Sequence, residues 1–246
     1  MKIVVILRVA TDSLSPVRIE QGFVTPDSLR PIINPFDEAA LAKAVALRAK
    51  DADREVVAVL IAPTGHDSLL QRAFALGARR VIHLCAAPTV QEPIEQARQL
   101  VPVLQQEQPD LILIGREVLG DDCGDTGAML SALLDCSLAT DAVELSLSAE
   151  EVLVTRETPG GSEDIALGLP ALVTAELALA NPRYITLMEL AAARKKPVER
   201  LESAERAAPA LASLSLHPVA PRQRGILLTS VAELAARIRA ELGTLP

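Results

Sequence analysis

Four short apolar runs, at 2–7, 56–61, 80–84 and 111–114, are separated by stretches with the periodicity of amphipathic helices, at 36–50, 68–76 and 92–107. Each run is short and rich in Val, Ile and Leu, so it reads as a strand buried on both faces. Parallel strands need a crossover of a dozen or more residues, and the crossovers here are helical. The order therefore predicts an α/β chain with a mainly parallel, Rossmann-like doubly wound sheet covered by helices on both sides. The first helix has an explicit start. Asn34 can cap it, Pro35 suits the first turn, and Asp37 and Glu38 suit the positive end of the helix dipole.

The texture changes after Asp135. Runs at 143–147, 152–155 and 165–167 alternate like half-exposed strands, with Pro159-Gly160-Gly161 as a hairpin turn between the last two. A further strand is expected at 172–175. From about residue 200 the chain is rich in Ala, Ser and Pro, and a last helix is expected at 230–242, ending at Gly243. The expected organisation is a nucleotide-binding α/β domain over 1–198 and a C-terminal arm with a docking helix over 199–246.

Charge and composition exclude several classes. A formal net charge of −8 argues against nucleic acid, which requires clustered Lys and Arg. Arg194-Lys195-Lys196 is the densest basic cluster and is too short to line a groove. It reads as a solvated surface or as a contact for an acidic partner. No apolar window reaches the ~18 residues of a membrane span, and the N-terminal run reads as a buried first strand rather than a leader. Cys85, Cys123 and Cys136 lack metal-ligand spacing and fit free thiols in a reducing cytoplasm. The aromatics are three Phe and one Tyr with no Trp, so an aromatic flavin cage cannot be built from this chain alone.

Two segments are candidates for ligand chemistry. The first is the strand at 111–114, the glycine-bearing loop after it, and the helix opening near Thr126. A helix N-terminus presents unpaired N–H groups and partial positive charge, so a phosphate fits there. Gly120, Gly124 and Gly127 permit close backbone approach, and Thr126 can cap the helix. The alternative is an ordinary strand-to-helix turn, and Asp121, Asp122 and Asp125 oppose an anion unless they turn away. The second segment is Asn34-Pro35-Phe36-Asp37, at the carboxyl edge where α/β sheets bind ligands, or simply a helix cap. The three histidines have no spaced metal-binding partner, and no nucleophile motif is present.

Several segments in order resemble the β subunit of electron transfer flavoprotein. They are Val173-Thr-Ala-Glu-Leu177 with Asn181-Pro-Arg-Tyr184, Thr186-Leu187 and Arg194-Lys-Lys-Pro197; Asn34-Pro-Phe-Asp-Glu38; Phe74-Ala-Leu-Gly-Ala78; Asp121-Asp-Cys with Thr126, Gly127 and Met129; and Arg156-Glu157 with Gly160-Gly161. The resemblance implies an adenine nucleotide alpha hydrolase-like fold. It also implies a division of labour. A larger α subunit holds the redox FAD. The β subunit buries a structural AMP and has no catalytic residues. Donor dehydrogenases supply electrons, and a quinone oxidoreductase or similar acceptor removes them. By resemblance the AMP contacts are Ile6, Asn34, Pro35, Phe36, Asp37, Ile61, Asp121, Asp122, Cys123, Gly124, Asp125, Thr126, Gly127, Ala128 and Met129. Leu187 with Arg194, Lys195 and Lys196 corresponds to the loop that docks on dehydrogenases, and Phe36 and Glu157 to flavin-facing positions.

The chain departs from the family pattern at Gly124-Asp125, where Asn-Gln is common, and at Ser13 and Arg116-Glu117. It departs again at Met188-Glu189 and Ala191-Ala192-Ala193, where the family is more basic. Two alternatives stay open: a bifurcating-type β subunit with a second FAD in place of AMP, and a stand-alone nucleotide-binding module without electron transfer.

Overall fold

The computed structural model describes residues 1–25, 29–86, 92–120, 123–203, 217, 219–220, 222 and 224–242. The first half is built as the apolar runs dictate. Strand β1 (Lys2–Thr11) is followed by two short paired strands, β2 (Ile19–Glu20) and β3 (Phe23–Val24), then β4 (Pro31–Ile33) and helix α1 (Pro35–Ala49). Strand β5 (Glu55–Ala62), helix α2 (Asp67–Leu76), strand β6 (Arg80–Cys85), helix α3 (Pro93–Glu107) and strand β7 (Leu111–Gly115) come next. The second half holds α4 (Asp125–Leu134), β8 (Ser137–Leu147), β9 (Glu151–Thr158), β10 (Gly161–Gly168), β11 (Ala171–Ala175), α5 (Leu187–Ala193), β12 (Glu199–Glu202) and α6 (Val231–Leu242).

The sheet order is β10-β9-β8-β11-β7-β1-β5-β6-β12. Strands β8, β11, β7, β1, β5, β6 and β12 run parallel, while β9 and β10 extend one end as an antiparallel hairpin. The period of two in a strand sorts the β1 side chains. Ile3, Val5 and Leu7 pack toward α1 and α2. Val4 and Ile6 pack toward α3 and α4. The chain runs outward from β1 through β5 to β6, and α3 then returns it to β7 on the other side of β1. The ends of β1 and β7 thus form the topological switch point, where a crevice opens at the carboxyl edge.

Three local features differ from expectation. β8 starts at Ser137, earlier than its alternating portion suggests, because its first residues pair with β11 inside the sheet. The 187–193 stretch is a helix rather than a loop. Thr186 and Glu189 close a reciprocal capping box at its start. Residues 199–202 form an edge strand paired with β6, so the sheet continues just past residue 198. Within the arm, 204–216, 218, 221, 223 and 243–246 lie outside the described residues, Gly243 of the expected helix end among them. Helix α6 has no buried residue, and its Val231, Leu234, Ile238 and Leu242 are exposed. Among the described residues no helix is long and apolar enough to cross a membrane.

Candidate functional site: a cleft at the sheet switch point

An open cleft of about 750 Å³ lies over the carboxyl ends of β1, β5 and β6. One wall is the end of β1 from Arg8 to Ser13, the floor includes Ile61 and Ala62, and the opposite rim is the loop Val118-Leu119-Gly120 after β7. His66 also lines it. Burial first, and the neighbouring His83 second, lower the His66 pKa against the opposing pull of Asp67. His66 is therefore a neutral imidazole near pH 7, able to exchange hydrogen bonds without adding charge.

The cation on this wall, Arg8, is tied to the fold. It is 2% exposed, and its Nε and Nη2 donate to the two Asp37 carboxylate oxygens at 3.1 and 2.7 Å. Its backbone N–H donates to Asp37 Oδ2 at 2.7 Å. Arg8 Nη2 also donates to the carbonyls of Gly115 at 2.6 Å and Glu117 at 3.1 Å. Asp37 Oδ1 in turn accepts the Gly115 N–H at 2.7 Å.

Asn34 occupies the N-cap position of α1, but its side chain makes no capping bond. It is turned instead to the loop after β7. Its Nδ2 donates to the Glu117 carbonyl at 2.7 Å, and its Oδ1 accepts the Leu119 N–H at 3.1 Å. The cap expected from the sequence is thus a tertiary bond, because Pro35 begins the helix and the loop offers unpaired backbone groups. Asp37, expected to serve the helix dipole, is fully buried as the partner of Arg8.

Helix α4 begins at Asp125 with Gly124 as N-cap and no side-chain cap bond, so the expected Thr126 cap is not formed. Among the described residues no side chain caps its first turn, which leaves room for an anion at its N–H groups. Gly124 lies against the Arg116 carbonyl, where an added Cβ would sit at 3.0 Å. Gly127 serves a different approach. A Cβ on it would stand 2.6 Å from Thr174 Cγ2, so this glycine brings α4 down onto β11. Thr126 is buried on the same turn, Met129 packs against the α3–α4 layer, and Ala128 is exposed.

On the far side of the 115–120 loop, Arg116 gathers carboxylates. It pairs with Glu117 at 3.0 Å, Glu176 at 2.5 Å and Asp141 at 3.9 Å. Hydrogen bonds to Glu117 and then Glu176 raise its pKa. Glu157 and Pro159, from the β9–β10 hairpin, share this pocket.

The profile of the family described as "Electron transfer flavoprotein domain" matches residues 23–206. A Homo sapiens protein named "Electron transfer flavoprotein subunit beta" is 34% identical over 252 residues, covering 99% of this chain and 98% of that one. A Bradyrhizobium diazoefficiens protein of the same name is 35% identical over 250 residues, with both chains covered fully. An Oryza sativa subsp. japonica protein named "Electron transfer flavoprotein subunit beta, mitochondrial" is 33% identical, covering 98% of each. The chain belongs to the electron transfer flavoprotein β-subunit family.

The positions that the family resemblance singles out fall into separate places in this β-subunit fold. Ile61 lines the cleft. Asn34 and Asp37 lie behind its rim and hold the rim's backbone. Phe36 is buried beside Gly115, where a Cβ would come within 2.5 Å of its own Cβ. Ile6 is fully buried in the layer under α3 and α4. Cys123 is an exposed free thiol, as the other two cysteines are free. Asp121 and Asp122 lie outside the described residues.

The segment expected from the resemblance to dock on dehydrogenases falls on α5 and its flanks. Leu187, 86% exposed, stands at the first position of α5 on a groove lined by Ile32, Pro35, Leu69, Ile185 and Leu190 together with the Glu38–Arg72 ion pair. Met188 and Tyr184 are exposed beside it. Arg194, Lys195 and Lys196 are exposed on the other flank, with the Lys196 ammonium 5.0 Å from the Phe74 ring centroid. Glu189 is held down to about 2 by the Thr186 backbone N–H, then by Arg183 and the Thr186 hydroxyl.

Arg8 escaped sequence reasoning. The signal was one arginine inside an otherwise apolar strand, with an aspartate two residues into a buried helix start to match it.

Proposed function

We propose that the chain is the β subunit of a heterodimeric electron transfer flavoprotein and that the cleft over β1, β5 and β6 holds a structural AMP. A larger α subunit carries the FAD. Electrons enter from donor dehydrogenases docked at Leu187 and leave to a quinone oxidoreductase or a similar acceptor, and this chain has no catalytic step of its own. Its setting is the cytoplasm, where three free thiols persist.

The observation that supports the reading is the 118–120 rim over the carboxyl ends of β1, β5 and β6, with α4 opening next to the end of β7, where Gly124 lies against the Arg116 carbonyl. An adenine ring fits between apolar walls such as Ile61 and Leu119. A phosphate fits N–H groups at the helix start better than any side-chain cation here, because Arg8 is bound to Asp37. The hydrogen-bonding capacity of His66 suits a ribose or a base edge. The exposed apolar side chains of α6 support a subunit that completes itself on a partner.

Co-expression with the FAD-binding partner tests the reading. A 1:1 complex that carries flavin and passes electrons from a donor dehydrogenase to an acceptor is the expected result. A lone chain that is monodisperse, binds AMP and never takes up a flavin-bearing partner contradicts it and returns the stand-alone module.

A further inference from the structure

The buried polar side chains at the switch point converge on one piece of backbone. Arg8, Asn34 and Asp37 come from β1 and the start of α1, and each is at most 2% exposed. Between them they engage the Gly115 N–H, the Gly115 carbonyl, the Glu117 carbonyl twice and the Leu119 N–H. Those five bonds account for the inner side of the loop after β7. Its outer side, Val118 to Gly120, is the cleft rim.

The fold alone does not ask for this arrangement. Pairing of β1 with β7 already joins the strands through Ile3, Val4 and Val5. Burying a charged pair costs desolvation that a pair of apolar side chains would avoid. What the ion pair adds is geometry. A guanidinium is a planar fork, so one Arg8 can hold a carboxylate and two loop carbonyls in fixed directions. Gly115 completes the fit, since a Cβ there would meet Asp37 Oδ1 at 2.5 Å.

We propose that Arg8, Asn34 and Asp37 are positioning residues whose side chains preset the 115–120 loop for the nucleotide. The inference rests on the AMP reading above and deepens it. A loop held in its bound shape avoids the ordering cost that binding would otherwise impose. Asn34 and Asp37 thus act on the nucleotide through the loop they hold, and Arg8 joins them.

The test uses the full chain in complex with its flavin-bearing partner, stripped of nucleotide and titrated with AMP by calorimetry. Hydrogen exchange of the loop amides is followed with and without AMP. Asn34→Asp keeps the shape but turns the Nδ2 donor into an oxygen facing the Glu117 carbonyl. Arg8→Lys keeps the charge but loses the fork, and serves if the first variant folds poorly. The expected result is faster loop exchange without ligand, return to wild-type protection at saturating AMP, and affinity about tenfold weaker, the scale of one or two lost hydrogen bonds. Weaker AMP binding with unchanged loop exchange overturns the proposal in favour of direct contact. Faster exchange with unchanged affinity overturns the link between loop and cleft. Wild-type complex that binds no AMP overturns the AMP reading itself, and this inference with it.

Discussion

Asp125 stands exposed at the first position of α4, beside N–H groups that have no side-chain cap. Its carboxylate favours the helix dipole but repels a phosphate, by about 1 kcal/mol at surface-like screening. Asp125→Asn should raise AMP affinity about fivefold, read by calorimetry, and lower the melting temperature slightly. Unchanged affinity would place the phosphate away from α4. Gly127 acts through packing. Gly127→Val should destabilise by about 1–3 kcal/mol, measured by denaturant unfolding, because the side chain meets Thr174 and forces α4 off β11. A variant as stable as wild type would show that the helix shifts at no cost. The residue types at these positions were legible in the sequence, but their directions were not. A glycine that approaches a ligand and one that approaches a strand look alike until the helix is placed.

At the scale of elements, apolar pattern carried the reading wherever apolar burial holds the element. β1, β5, β6 and β7 are buried almost throughout and were visible as runs. β12 was not, because Glu199-Arg-Leu-Glu202 is held at the sheet edge by ion pairs. Glu199 meets Arg80 at 3.0 Å and Arg200 meets Asp67 at 2.6 Å. α5 is short, and its visible signal was the Thr186-to-Glu189 capping spacing rather than periodicity. Glu107 ties three elements, through Arg80 on β6 and Lys2 on β1. Hydrogen bonding from Arg80 first, and from Lys2 after the opposing effect of burial, holds its pKa below the usual carboxylate range. A depressed carboxylate stabilises the fold above its unfolded pKa, and that contribution fades as pH falls through the folded value. Glu107→Gln should therefore be less stable than wild type near pH 7, and the gap should close in acid. A gap independent of pH between neutrality and strong acid would contradict the assignment. On α5 itself, Leu187→Ala should weaken donor docking by about 1.5–3 kcal/mol, roughly ten- to hundredfold, with flavin content unchanged. Stopped-flow reduction by the donor checks this, and unchanged kinetics would remove Leu187 from the docking surface.

The whole molecule reads as a folded sheet domain with an unfinished end. α6 presents Val231, Leu234, Ile238 and Leu242 to solvent, and the described chain supplies nothing to cover them. Apolar faces of this kind ask for a partner. The cleft and the clamped loop meanwhile share one frame, since β1, α1 and β7 meet at the Arg8–Asp37 pair. That frame makes the central claim a claim about stoichiometry. The most direct measurement is mass spectrometry of the nucleotides released when the purified heterodimer is denatured. One FAD and one AMP per heterodimer is the predicted result. Two FAD and no AMP would contradict it and make this chain the second flavin's holder.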